Sequence, residues 1–323
     1  MKLPSDLGAR SHRTPSCDRG RESADPDSRA MNLALILAPL LLPIAVPHPA
    51  FPAQEPRREP APAILSTDLS LDRDPDDWFD TLLFLTLPGI EPKGIVLEHY
   101  ATDEVLGKTR ELLRLVDRAE VPVVKGIAGR LGRRDGVLTA PPHHDGAELI
   151  LQTLRASKEK VTLLAVGGLG NEAWALHRDL ALCREKIAAI YFVGGNPFGH
   201  RDTNVARDTV AAEIVMESDV PIAWVATCAP DQMQKLTGQQ EAAIANMGHP
   251  VTDFLAGTLG PWRAFRGEAW LRETGQLPGQ GKNLWSLPAF SHAAGLDVGN
   301  LVWLRGHAHF NADRWTWFET DPR

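Results

Sequence analysis

Short apolar runs alternate with amphipathic segments between residues 63 and 227, and this alternation dominates the hydrophobic pattern of the chain. A strand buried in a parallel sheet gives a continuous apolar run, whereas an amphipathic helix repeats its apolar positions with the period of the helix. The pattern therefore predicts one α/β domain with a mainly parallel, Rossmann-like central sheet flanked by helices. The predicted strands are 63–66, 94–99, 121–124, 161–166, 188–193 and 222–227. The predicted helices are 77–87, 103–118, 145–156, 171–178, 207–218, 232–245, 252–258 and 287–294.

The chain before residue 63 lacks this alternation. Residues 1–30 are polar and aperiodic, which predicts a disordered leader. Residues 31–53 contain an apolar run that is too short and too often broken by proline to span a bilayer, and they are predicted to be a signal peptide. Translation would then begin at Met31, and the mature protein would be periplasmic or extracellular; if the segment is not a signal peptide, the protein would be cytoplasmic. Residues 54–62 read as a Pro-rich linker, and 63–323 as the folded domain.

Net charge and cysteine content limit the kinds of binding partner and of structural site that the chain can have. The formal net charge is −7 and no block of Lys and Arg is present, so a nucleic-acid polymer is an unsuitable partner. A small-molecule substrate fits better, and the chain could also form a homo-oligomer. The three cysteines, Cys17, Cys183 and Cys228, are widely separated, so neither a zinc site nor a disulfide framework is indicated. One Cys183–Cys228 bridge is possible, although two buried free thiols are favoured.

Five aspartates follow the first predicted strand: Asp68, Asp72, Asp74, Asp76 and Asp77. Like charges this close repel one another unless water screens them or a cation neutralises them. Ca²⁺ takes six to eight oxygen ligands, largely carboxylates and carbonyls, so a Ca²⁺ site is the more specific interpretation of this loop. A solvated acidic turn that caps the next helix is the alternative, because Asp favours a helix N-terminus.

Other strand ends also carry polar or glycine-rich chemistry. They are Glu98-His99-Tyr100, Gly167-Gly168-Leu169-Gly170-Asn171, and Gly194-Gly195-Asn196 followed by Asp202-Thr203-Asn204. Ligands of open parallel sheets bind beyond the carboxyl ends of the strands, so these segments are expected to surround one site. The glycines do not form a phosphate loop, since no Lys-Ser/Thr follows them and no GxGxxG occurs.

The order of these segments resembles the inosine-uridine-preferring nucleoside hydrolase family over most of residues 63–295. The resemblance rests on Ser66-Thr67-Asp68 leading to Asp76-Asp77, and on the strand 161–166 with its glycine-rich turn closing on Asn171. It is most specific in Gly194-Gly195-Asn196 through Asp202-Thr203-Asn204 to Asp208 and Ala211-Ala212. It implies a nucleoside hydrolase-like fold and hydrolysis of the N-glycosidic bond of a ribonucleoside or related riboside by metal-activated water.

The resemblance also implies roles for single residues. Ca²⁺ would be held by Asp68, Asp76, Asp77, the Val166 carbonyl and Ser286, and Asp68 would be the catalytic base. Asp202, Asn204 and Asn196 would contact the substrate. His144, in a loop rich in Gly and Pro, is a further candidate for substrate contact.

The sequence departs from the family pattern in four places. Ser66 replaces the first Asp, and the loop to Asp76 is long enough for Asp72 or Asp74 to replace a ligand. Asp202 stands where Glu is commoner. Trp285 and Ser286 replace a His-Asp pair, and an indole cannot protonate a leaving base. Two alternatives therefore stay open: a ribose- or nucleoside-binding protein without turnover, and a metal-dependent hydrolase of another glycoside or ester.

Overall fold

Six of the apolar runs lie side by side as parallel strands of one sheet. The computed structural model describes residues 59–134, 137–139, 141, 143–196, 198–227, 234–296, 306–310 and 315–320. The sheet contains β1 (Ala61–Thr67), β2 (Ile90–Leu97), β3 (Val123–Lys125), β6 (Val161–Ala165), β7 (Ile187–Val193) and β9 (Ile222–Val225). Each predicted strand corresponds to one of them, so the predicted α/β class and parallel sheet are confirmed.

The strand order reverses at β1. The order across the sheet is β3-β2-β1-β6-β7-β9, so the chain builds one side of β1 first and then crosses to the other side. β1 and β6 pair in parallel, with Ser66 opposite Ala165 near their carboxyl ends. Open parallel sheets bind ligands in the crevice at such a reversal, so the topology places the candidate site beyond Thr67 and Ala165.

Alternate residues of each central strand enter two separate cores. On β1, Leu65 packs into the core on one face and Ile64 into the core on the other. On β7, Tyr191 and Phe192 divide in the same way. Burial of one large apolar side chain contributes about 1.5–3 kcal/mol, so both faces hold the sheet rigid beneath the site.

Eleven helices occur among the described residues. They are α1 (Asp76–Thr86), α2 (Asp103–Leu115), α3 (Asp145–Ala156), α4 (Gly170–Arg178), α5 (Leu180–Lys186), α6 (Thr203–Arg207), α7 (Thr209–Met216), α8 (Gly238–Asn246), α9 (Pro250–Arg266), α10 (Glu268–Glu273) and α11 (Leu287–Ala293). The predicted helices at 77–87, 103–118, 145–156, 171–178 and 287–294 agree with the structure to within a few residues.

Three helix predictions need correction. The predicted helix 207–218 starts later, because Asp208 ends α6 and its Oδ1 accepts the Ala211 N–H to cap α7. The predicted helix 232–245 is wrong over residues 234–236, which form β10, and the capping box of Thr237 and Gln240 starts α8 after that strand. The predicted helix 252–258 extends to Arg266, because Leu255, Leu259 and Trp262 continue one buried stripe.

Small sheets complete the described part of the chain. β4 (Gly132–Arg134) pairs with β5 (Val137–Thr139), and β10 (Gln234–Leu236) pairs with β11 (Lys282–Leu284). β12 (Gly306–Phe310), β13 (Trp315–Thr320) and β8 (Phe198–Arg201) form a third sheet. No helix in the described ranges is long and apolar enough to cross a membrane. The predicted leader and signal peptide, most of the linker, and Cys17 and Cys228 lie outside the described residues.

Candidate active site

The crevice between the carboxyl ends of β1 and β6 holds the first predicted site residues. Asp68 follows β1 directly, and Val166 follows β6. The Val166 N–H donates to the Ser66 carbonyl at 2.9 Å, which fixes the two strand ends against each other. A Cβ on Gly167 would lie 3.1 Å from Asp68 Oδ1, so the missing side chain leaves room for this carboxylate.

Three more carboxylates lie on the first turns of α1. Asp76 and Asp77 begin the helix and Asp80 follows one turn later, and all three are buried. Burial raises the pKa of Asp76 and of Asp77 well above the usual value, and neighbouring aspartates raise both further. Burial also raises the pKa of Asp80 to about 8, although Ser286 lies close enough to lower it. Neither Asp80 oxygen has a hydrogen bond of good geometry within the described residues.

Two basic side chains enter this carboxylate cluster, which comprises Asp68, Asp74, Asp76, Asp77 and Asp80. Lys282 of β11 is only 1% exposed, and its Nζ lies 2.8 Å from Asp74 Oδ1 and 3.7 Å from Asp76 Oδ1. Arg207 at the end of α6 places Nη2 at 2.5 Å from Asp68 Oδ2. The cations therefore neutralise part of the acidic charge from within the fold.

The donor set does not fit Ca²⁺ in this arrangement. Asp68 is paired with Arg207, Asp76 faces Lys282, and the Val166 carbonyl accepts a hydrogen bond from Asn204 Nδ2 at 2.9 Å. Asp77 Oδ1 accepts from Thr67 Oγ1 at 3.1 Å, and Ser286 lies beside Asp80. Over the described ranges, no three His, Cys, Asp or Glu side chains are placed to hold a metal ion. The predicted ligands thus surround cations supplied by the chain itself.

A second buried acidic pair lies behind the crevice. Glu98 at the end of β2 accepts hydrogen bonds at 2.8 Å from Ser66 Oγ and from Asn171 Nδ2. Burial raises the pKa of Glu98 well above its usual value, and the nearby Glu172 raises it further. Burial raises the pKa of Glu172 to about 7. Ser66, which departs from the family pattern, therefore donates a hydrogen bond that holds the Glu98 side chain.

The residues predicted to bind the substrate on the β7 side hold the local backbone. Asn204 Nδ2 donates to the carbonyls of Val166 and Val193 at 2.9 Å each, so it joins the ends of β6 and β7. Asp202 caps α6 through the Asn204 and Val205 N–H groups, and its Oδ2 accepts from Thr227 Oγ1 at 2.7 Å. Their side chains are therefore fixed in orientation before any ligand binds.

A cavity of about 590 Å³ opens next to Asp202. His99, Tyr100, Arg130, Arg201, Asp202 and Arg207 contribute to its wall. Arg207 also contacts Asp68, so the cavity reaches to within one side chain of the predicted base. This volume is in the range of small-molecule sites.

The other predicted site residues do not line this cavity. His144 precedes α3, where its Nδ1 lies 3.4 Å from the Pro141 carbonyl. Asn196 follows the Gly194-Gly195 turn and is half-buried. Ser286 precedes α11 and is buried beside Asp80. A role of His144 or Asn196 in substrate binding stays a prediction.

The sequence analysis did not identify Asp80, Arg207 or Lys282 as site residues. Asp80 had a usable signal, since it lies one helical turn after Asp77 and therefore on the same side of α1. Arg207 stands between Asn204 and Asp208 in the most specific motif. Lys282 had no local signal, because only the pairing of β10 with β11 and the packing of α1 bring it to the aspartates.

Comparisons with known proteins agree with this geometry. A family model described as inosine-uridine preferring nucleoside hydrolase matches residues 64–277. The pyrimidine-specific ribonucleoside hydrolase RihA of Salmonella arizonae is 29% identical over 222 residues, which cover 60% of this chain and 71% of that protein.

Two solved structures share the fold. A plant nucleoside hydrolase, PpNRh1, matches with a TM-score of 0.64 at 19% identity, covering 80% of this chain and 87% of that one. The type III effector protein XopQ, solved with adenosine diphosphate ribose, matches with a TM-score of 0.57 at 18% identity, covering 89% of this chain and 92% of that one. With Asp68 at the strand reversal and the family match spanning the sheet, the chain belongs to the inosine-uridine preferring nucleoside hydrolases, enzymes that hydrolyse N-glycosidic bonds.

Proposed function

We propose that the chain cleaves the N-glycosidic bond of a ribonucleoside or related riboside by attack of water on the anomeric carbon, with Asp68 as general base. The position of Asp68 at the strand reversal, beside Val166 and one side chain from the cavity, is the observation that carries this proposal. One structural relative was solved with adenosine diphosphate ribose, which extends the candidate substrates from nucleosides to other ribosides.

The surroundings of Asp68 suit a base. Burial raises its pKa, Arg207 lowers it, Asp74 raises it again, and the net pKa lies above the usual value. A carboxylate with a raised pKa accepts a proton from water more readily near neutral pH. In the step, the water oxygen bonds to the anomeric carbon and its proton passes to Asp68. The bond between the anomeric carbon and the nucleobase breaks, and its electron pair leaves with the nucleobase, which takes up a proton.

The acidic cluster stabilises the sugar as that bond breaks. An oxocarbenium-like transition state carries positive charge on the ribose, and preorganised carboxylates lower its energy. Asp68, directly after β1, and Asp77, on the first turn of α1, interact electrostatically with each other and would supply such groups. Asn204 and Asp202, fixed by their backbone contacts, would bind the ribose hydroxyls. The proposed step uses water and these side chains, because Arg207, Lys282 and Asn204 engage the predicted Ca²⁺ ligands.

The leaving group receives little help from the cavity wall. Burial, together with the charges of Arg207 and Arg130, lowers the pKa of His99 to about 4, so its ring is neutral near neutral pH. A neutral imidazole is a weak acid, and Trp285 cannot donate a proton to a base in this way. We therefore expect ribosides whose leaving group needs no protonation to react fastest.

The test compares p-nitrophenyl riboside with uridine in the wild type and two variants. We expect faster release of nitrophenolate than of uracil. Asp68→Asn should lower both rates by about 10²–10⁴-fold, because it removes the base. Asp72→Asn is the matched control, since Asp72 lies in the same loop but its side chain is 51% exposed and, among the described residues, pairs with the exposed Arg73. Equal rates for Asp68→Asn and wild type, or no cleavage of either compound by wild type, would overturn the proposal.

A further inference from the structure

Positive charge dominates the wall of the 590 Å³ cavity. Three arginines line it, Arg130, Arg201 and Arg207, whereas Asp202 is the one carboxylate in the wall. Both oxygens of Asp202 are already engaged, by the N-terminus of α6 and by Thr227. A neutral nucleoside offers no charge that would balance this excess.

Arg130 and Arg201 form no close ion pair with a carboxylate in the described residues, although Asp208 attracts Arg130 at longer range. Arg130 donates from Nε and Nη2 to the carbonyls of Arg207 and Ala206, at 2.8 and 3.1 Å, and these acceptors are neutral. Arg201 is exposed at the end of β8 and has no ion pair with a described residue. An anion in the cavity could therefore pair closely with Arg201 and add to the neutral contacts of Arg130.

Arg207 has unused donors as well. Its Nη2 pairs with Asp68, and its guanidinium lies over the Tyr100 ring at 5.1 Å from the centroid. Its Nε and Nη1 are buried and lack a hydrogen-bond acceptor in the described part of the chain. A buried donor without an acceptor is costly, so Arg207 retains hydrogen-bonding capacity that the described residues do not use.

An organic phosphate fits these features better than a neutral sugar. Guanidinium groups bind phosphate through paired, charge-assisted hydrogen bonds, and a cluster of them is typical of phosphate sites. The cavity has room for a ribose together with a phosphate. The acidic cluster on the far side of Arg207 would repel the same group, so the phosphate is confined to the arginine side.

We propose that the cavity is a phosphate subsite formed by Arg130, Arg201 and Arg207, and that the substrate is a riboside carrying a phosphate on its ribose. The inference rests on the proposed function and deepens it. Water attacks the anomeric carbon, the bond to the base breaks, and the products are the protonated base and a ribose phosphate. The phosphate ester itself stays intact, so the reaction needs no co-reactant other than water.

The kinetic test compares uridine with its 5′- and 3′-monophosphates in the intact chain. We expect wild type to favour one monophosphate over uridine in kcat/KM by roughly tenfold or more, since hydrogen bonds to charged groups are worth this much. Arg201→Gln should remove roughly tenfold of that preference and leave kcat/KM for uridine nearly unchanged, because the Arg201 side chain is exposed. Arg272→Gln is the control, because Arg272 is exposed, pairs with Glu268 and does not line the cavity.

Binding separates this inference from the proposed function. By titration calorimetry, wild type should bind ribose 5-phosphate at least roughly tenfold more tightly than ribose, and Arg201→Gln should lose most of this difference. If neither uridine nor a monophosphate is cleaved but ribose phosphate still binds selectively, the proposed hydrolysis fails and the phosphate subsite stands. If uridine and both monophosphates are cleaved equally well, or ribose binds as tightly as its phosphate, the subsite proposal is overturned.

Discussion

Replacement of Lys282 tests how the carboxylate cluster is neutralised. Lys282→Met keeps an unbranched side chain of similar length and removes only the ammonium group. Lys282 is 1% exposed, and its Nζ lies 2.8 Å from Asp74 Oδ1 and 3.7 Å from Asp76 Oδ1. The substitution therefore leaves two aspartates without their nearest cation.

The expected loss follows from burial. Removing one partner of a buried ion pair typically costs about 3–5 kcal/mol, because the remaining charge is left without compensation. The Asp74 side chain is 32% exposed, so water recovers part of its solvation, whereas Asp76 is only 7% exposed. We therefore expect a loss of about 3 kcal/mol in the free energy of unfolding, at the lower end of that range.

The loss should shrink in acid. Burial raises the pKa of Asp74, but Lys282, a hydrogen bond with Asp76 and the charge of Arg266 together outweigh burial, and the net pKa lies below the usual value. A depressed carboxylate pKa stabilises the fold above the pKa of the unfolded chain, and that contribution disappears as the pH falls through the folded value. Wild type and variant should therefore converge in stability as the pH falls below the usual pKa of aspartate.

Urea unfolding followed by tryptophan fluorescence measures this loss. Adding Asp74→Asn to Lys282→Met should recover part of it, because the two side chains are in contact and their effects are not additive. Arg272→Met, which breaks the exposed pair with Glu268, should cost less than about 1 kcal/mol. A loss for Lys282→Met as small as that of Arg272→Met would refute the argument that Lys282 neutralises the cluster.

Three further predictions concern metal, pH and export. Millimolar Ca²⁺ should leave the melting temperature of wild type unchanged, because Arg207 and Lys282 pair with its predicted ligands; a clear rise would show that a calcium site forms after all. Burial raises the pKa of Glu172 from 4.5 to about 7, so between these pH values the folded chain holds a proton that the unfolded chain has lost. The free energy of unfolding, measured in urea, should therefore fall as the pH rises from 4.5 to about 7, and Glu172→Gln should reduce this dependence on pH. The same dependence in Glu172→Gln and wild type would contradict a raised pKa for Glu172. We propose export, as the apolar run 33–46 indicates, so N-terminal sequencing of protein from the native host should find a start near residues 51–54; an intact Met1 in a cytosolic fraction would remove the idea.

The sequence sufficed for the sheet and for the acidic half of the site. Each parallel strand is an apolar run with its own local signal, and Asp68 follows the first run directly, so the sheet and the carboxylate beyond its first strand were predictable together. The strand order and the basic half of the site were not predictable. Lys282 reaches Asp74 because β11 pairs with β10, a three-residue antiparallel contact without a periodic pattern. Residues 234–236 were predicted as helix for the same reason, since a strand of three residues has too few positions to show a period.

The side chain of Asp208 links two walls of the cavity. Its Oδ1 caps α7, and its Oδ2 accepts the Leu131 N–H at 2.6 Å, next to Arg130. Arg130 in turn donates to the carbonyls of Ala206 and Arg207. These bonds form a closed loop between neighbouring residues of two distant segments, so the backbone positions of Arg130 and Arg207 are coupled. The spacing between Arg130 and Arg207 should therefore be fixed, and the cavity should select ligands by size. A substitution at Asp208 should change which ligands bind, although Asp208 itself does not line the cavity.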